Sequence, residues 1–80
     1  MGPEVRRAAN TRAWLVRALD DLGTARDLLA LPTPRLRSVV FHCQQAAEKA
    51  LKSFLTWHDR PFGKTHDLRA LGRQCAGGCC

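Results

Sequence analysis

Two prolines one residue apart, in Leu31-Pro32-Thr33-Pro34, divide this chain into two long stretches that both carry helical periodicity. Proline lacks an N–H and drives the residue before it out of the helical region, so one continuous helix is excluded and a reversal is favoured. Before the break, Leu15, Ala18, Leu22, Ala25 and Leu29 recur at spacings of 3, 4, 3 and 4, with Arg17, Asp20, Asp21, Arg26 and Asp27 mostly outside the stripe. That pattern predicts an amphipathic helix from about Glu4 to Ala30. After the break, Thr33 is placed to cap a second helix that begins at Pro34, where a missing N–H costs nothing.

The second helix is expected to run to about His58. Its apolar stripe is Leu36, Val40, Cys43, Ala47, Ala50, Phe54 and Trp57, and Leu51 and Leu55 widen the arc enough to pack on more than one neighbour. On the other side, His42, Gln45, Lys49 and Lys52 form a polar stripe at spacings of 3, 4 and 3. Asp59-Arg60-Pro61-Phe62-Gly63-Lys64 has the composition of a loop. Thr65 is then placed to cap a short third helix with His66 and Asp67 in its first turn and Leu68 and Leu71 opening its apolar face. Gly72 weakens that helix, and Ala76-Gly77-Gly78 is expected to end it. The expected fold class is all-α: an antiparallel up-and-down helical bundle with two long helices and a short third.

Eighty residues allow one domain, and a chain of this size buries too little surface for a large enclosed active site. Thirteen Lys and Arg against seven Asp and Glu give a net charge of +6, which suits an anionic partner, and the excess is spread along the chain instead of forming a tail. No stretch is long and apolar enough to cross a bilayer and the first residues lack the apolar core of a signal peptide, so a cytoplasmic location without membrane contact is expected. Cys43 sits in a helical segment while Cys75, Cys79 and Cys80 crowd the C-terminus, which is no disulfide framework. Adjacent Cys79 and Cys80 fit one tetrahedral zinc ion poorly, so neither a metal nor another cofactor is expected.

The run Phe41-His42-Cys43-Gln44-Gln45-Ala46-Ala47-Glu48-Lys49-Ala50-Leu51-Lys52, followed by Lys64-Thr65-His66-Asp67-Leu68, resembles the signature of the HEPN domain family, the higher eukaryotes and prokaryotes nucleotide-binding domains. Trp14-Leu15, Ala18, Asp21-Leu22, Ala25 and Leu28-Leu29 are similar to that family's first helix. The likeness spans roughly residues 12–74. It implies a helical bundle that is often a homodimer, that binds nucleotide or RNA, and that is frequently paired with a nucleotidyltransferase-type protein or belongs to a toxin–antitoxin system. It also implies that this chain is C-terminally truncated, an incomplete domain over residues 1–74 lacking the family's final helices, with 75–80 as a disordered Cys/Gly tail. The second helix's arc, including Phe54 and Trp57, would then lack cover and favour dimerisation or aggregation.

Carried over by position, the family's polar motif falls on His42, Gln45, Glu48, Lys49 and Lys52 and on Thr65, His66 and Asp67, with Lys64 adjoining. Lysines one turn apart, a Gln, a His and a helix N-terminus could together hold a phosphate group. A structural account of the same residues stands beside this one. Glu48 and Lys52 have the spacing of a helix-stabilising pair, His42 and Gln45 could bond the neighbouring helix, and Thr65 with Asp67 could simply start a helix. Ribonuclease members of the family use an Arg shortly before a His. Arg35 and Arg37 precede His42, and Arg60 precedes His66, but ten Arg and three His make such pairs by chance, and these do not fall where the family places its motif. No catalytic residue is assigned. Binding of nucleotide or RNA phosphate is the expected function, the alternatives being a non-catalytic module that docks on a nucleotidyltransferase-type protein and, last, a metal-independent ribonuclease.

Overall fold

A computed structural model describes residues 2–78 and shows three helices: α1 (Pro3–Leu29), α2 (Leu36–Trp57) and α3 (Leu68–Gly78). No strand occurs among the described residues, and no helix there is long and apolar enough to cross a membrane. Pro3 occupies the first turn of α1, with Glu4 at the positive end of the helix dipole and Arg26 at the negative end. Six residues, Ala30 to Arg35, turn the chain back. The connection absorbs Pro34, so α2 starts two residues later than expected: Arg35, not Thr33, is its N-cap and no side chain caps it. The Arg35 carbonyl accepts the first helical bond, from the Val39 N–H at 3.0 Å.

Contacts between Arg7 and Trp57, Trp14 and Lys52, and Asp21 and both Lys49 and His42 run in opposite chain directions, so α1 and α2 are antiparallel. Their shared seam is not the one that apolar periodicity predicts. On α1, the residues withdrawn from solvent include Arg7, Thr11, Trp14, Ala18, Asp21, Ala25 and Leu28, again at alternating spacings of 4 and 3. Ala18 and Ala25 are common to the two seams, whereas Leu15, Leu22 and Leu29 are exposed. On α2, the facing side includes His42, Gln45, Ala46, Lys49, Lys52 and Ser53, while Leu36, Val40, Cys43, Ala47, Ala50 and Trp57 are exposed and Phe54 is half-buried.

The expected core of α2 is thus corrected: its polar stripe faces α1 and most of its apolar stripe faces out. Pairing explains the inversion. A buried polar group is costly only when it lacks a partner, and most inner groups here have one, whereas Arg7 Nε is buried without a hydrogen bond and its guanidinium lies 5.4 Å over the Trp57 ring instead. Asp21 receives His42 and Lys49, while the Thr11, Ser53 and Thr56 hydroxyls donate back to carbonyls of their own helices at 2.6–2.8 Å. The alanines between them let the two backbones approach.

α3 packs on α2 and not on α1, so α2 is the central element. Leu55 and Leu71, the two largest fully buried side chains, lie one on each. The helix takes in Cys75 to Gly78, where a tail was expected, because its glycines, Gly72, Gly77 and Gly78, weaken a helix without excluding it. Cys79 and Cys80 lie outside the described residues. The helix also begins later than expected. Thr65 and His66 precede it, and Asp67 is the cap, its Oδ1 accepting the N–H groups of Arg69 at 3.0 Å and Ala70 at 3.2 Å.

Between α2 and α3, the Arg60 N–H donates to the Leu55 carbonyl at 2.8 Å and the Asp59 N–H to the Thr56 carbonyl at 3.1 Å. This is a Schellman cap, with Asp59 in the left-handed position at φ 55° that glycine normally fills. Asp59 makes no side-chain bond that compensates. Asp59→Gly should therefore raise stability by about 0.5–1 kcal/mol, a rise in melting temperature of a few degrees followed by circular dichroism at 222 nm.

Candidate functional site

Four titratable side chains of α2, one of α1 and one of the loop before α3 form a polar cluster in two parts. In the first, the Asp21 carboxylate accepts His42 Nδ1 at 2.9 Å through one oxygen and Lys49 Nζ through the other. The Lys49 ammonium foremost, and the His42 ring after it, hold the Asp21 carboxyl below the usual carboxylate range, against a smaller opposing effect of burial. In the second, buried Glu48 accepts from His66 Nδ1 and lies 3.7 Å from Lys52 Nζ.

Lys52 is itself buried. Its ammonium sits 5.3 Å from the ring centre of Trp14 and 5.6 Å from that of Phe62, and those rings meet edge to face at 5.9 Å. The aromatic faces supply negative potential that adds to that of Glu48. Phe62 thereby lays the loop across α2 onto α1, and His66 ties the start of α3 to the same point. The His66 side chain is nonetheless 80% exposed. With Nδ1 donating to a buried carboxylate, the ring is oriented and its Nε2 is left facing water.

Of the sequence-derived candidates, the fold gathers His42, Glu48, Lys49, Lys52 and His66. Gln45 lies between His42 and Lys49 on the same face of α2, half-buried and without a side-chain bond. Lys64 is exposed beside the cluster. Thr65 and Asp67 are spent on backbone: Thr65 Oγ1 accepts the Asp67 N–H at 3.1 Å, and Asp67 occupies the N–H groups at the start of α3. The free helix N-terminus expected to meet an anion is therefore filled by the chain's own carboxylate. The structural account of the motif holds at three points: Glu48 and Lys52 pair along one helix, His42 bonds the neighbouring helix, and Asp67 starts α3.

Sequence reasoning passed over Asp21, Trp14 and Phe62 as site residues. A signal for two of them exists, since Trp14, Ala18, Asp21 and Ala25 share the spacing of an inner seam. Phe62 carried none, because a lone aromatic in a loop has no periodicity. Among the described residues, no group of three or more His, Cys, Asp or Glu is arranged to hold a metal ion.

A three-helix arrangement with a carboxylate-bridged polar seam, and an oriented histidine at its edge, defines an all-α helical-bundle domain. The HEPN domain family model matches residues 11–79. The chain belongs to the HEPN domain family, which relates it to nucleotide- and RNA-associated proteins. No curated protein and no solved structure gives a significant match.

Asp21 has a lower pKa folded than unfolded, so its ionised form stabilises the fold above about pH 3.9 and that contribution is lost as the pH falls through the lowered value. In acid titrations followed by circular dichroism, Asp21→Asn should be less stable than the parent at pH 7, and the difference should shrink towards pH 2. Glu48→Ala leaves buried Lys52 without its carboxylate and should cost about 3 kcal/mol or more in urea unfolding.

Proposed function

We propose that this domain binds the phosphate and sugar edge of a nucleotide or of single-stranded RNA, at the mouth of the polar cluster where Lys64 and His66 face solvent. The observation that carries this reading is the Glu48–His66 bond. A buried carboxylate holds an exposed imidazole in one orientation, which presents Nε2 to a ligand hydroxyl or, when protonated, to a phosphate oxygen. Lys64 adds the positive charge. Lys49 and Lys52, named with them in the sequence motif, act one step back: each is neutralised by a carboxylate, and they position α2 and the loop beneath the binding edge.

A second reading is favoured by a different observation, the exposed apolar face of α2. In it the domain is a non-catalytic module that docks on a nucleotidyltransferase-type protein, as in toxin–antitoxin-type systems, and the polar cluster serves only the fold. A ribonuclease is the third reading, in which His66, oriented by Glu48, would exchange a proton with RNA.

Isothermal titration with ATP and with a short single-stranded RNA separates them. Binding heat for the parent, weakened at least tenfold by combined Lys64→Ala and His66→Ala at unchanged helicity, is the expected result. No heat with either ligand gives the ground to the docking module. Cleavage of the RNA that is lost in His66→Ala makes the domain a nuclease.

A further inference from the structure

We infer that His66 is a covalent modification site: its Nε2 accepts a phosphoryl group from a small donor of high transfer potential, an acyl phosphate or a phosphoramidate. A bond is then made to the ring, which is distinct from reversible binding at the same edge.

An imidazole that attacks phosphorus needs a lone pair on an accessible nitrogen and compensation for the positive charge the ring acquires. The three histidines of the chain divide these requirements. His58 is exposed, but its ring lies 4.3 Å from that of Phe54 and its nitrogens meet no carboxylate among the described residues. His42 has the Asp21 carboxylate at Nδ1, but its side chain is only 28% exposed and Phe41 packs almost at right angles against its ring at 5.2 Å. His66 combines the two: Glu48 holds Nδ1, and the side chain is 80% exposed.

An ionised carboxylate can only accept, so the proton of neutral His66 sits on Nδ1 and the lone pair on Nε2, the nitrogen that faces water. The Glu48 side chain is 4% exposed, which keeps water from competing for the bond, and Lys52 Nζ, 3.7 Å from the same oxygen, anchors the carboxylate. Exposed Lys64, two residues earlier in the chain, and the net charge of +6 attract an anionic donor. The nearest acid in sequence, Asp67, is turned to the N–H groups of Arg69 and Ala70.

In the reaction, the Nε2 lone pair forms the N–P bond as the donor's own bond to phosphorus breaks. Ammonia leaves from a phosphoramidate, or a carboxylate from an acyl phosphate, with the electron pair of the broken bond. Nδ1 keeps its proton, and the positive charge gained by the ring is set against Glu48. That interaction strengthens as the ring charges, so it lowers the barrier instead of merely holding the ring. A phosphorylated imidazole is itself a reactive phosphoryl compound, which is why the donor must be of comparable transfer potential.

The full chain is incubated at pH 8 with potassium phosphoramidate or, in a separate arm, with acetyl phosphate. Labelling of each histidine is followed by mass spectrometry and the isomer is read by 31P NMR. His66 should be phosphorylated on Nε2 about tenfold or more ahead of His42 and His58. The lead should vanish when the parent is unfolded in urea. It should also vanish in Glu48→Gln combined with Lys52→Met, a pair that leaves no buried charge unpaired, at retained helicity. Labelling by acetyl phosphate assigns acyl phosphates as donors, and labelling by phosphoramidate alone assigns donors with a P–N bond. No labelling in either arm, equal rates at the three histidines of the folded chain, an Nδ1 product, or a lead that survives loss of Glu48 overturns the site. No nucleotide is present, so the outcome is independent of the titration with ATP and RNA.

Discussion

The Asp21 carboxylate decides which way α2 faces. It stands on the inner seam of α1 between Ala18 and Ala25 and takes a donor through each oxygen, His42 from one turn of α2 and Lys49 from two turns further on. A carboxylate held between helices is tolerable only when both its oxygens are occupied. Once α2 turns its polar stripe inward to occupy them, the orientation of every other side chain on that helix follows from the 100° step.

Two consequences come from that rotation. Lys52 and Glu48 are carried under the loop, where Trp14 and Phe62 surround the ammonium, and His66 is drawn onto Glu48 at the edge. The apolar stripe goes the other way, so that alanines and a leucine pair are the buried hydrocarbon of a chain that is 45% hydrophobic by composition. A polar interior and an apolar exterior are therefore one fact seen from two sides, and they separate the edge that carries His66 from the apolar groove by the width of one helix.

Much of the architecture was legible in residue order alone. The proline pair marks the reversal, the 3 and 4 spacings mark the long helices, and the bounds of α1 agree within a residue. Shifts at the later boundaries are matters of capping. Pro34 was absorbed into the turn, and Asp67 outcompeted Thr65 as a cap because its carboxylate reaches two N–H groups at once. The cluster was half legible: the motif residues His42, Glu48, Lys49, Lys52 and His66 do meet, but Asp21 was passed over because one acid among Asp20, Asp21 and Asp27 has no local mark that sets it apart.

What this sequence determined by itself is the number and order of the helices and the span of the two long ones, since helical period and proline act over a few residues and need no distant contact. Only the tertiary structure decided which stripe is the inside. Hydrophobic periodicity reports where hydrocarbon lies on a helix, whereas the cost of burying a charge depends on a partner elsewhere in the chain, and here Asp21, twenty-one residues before His42, supplied it.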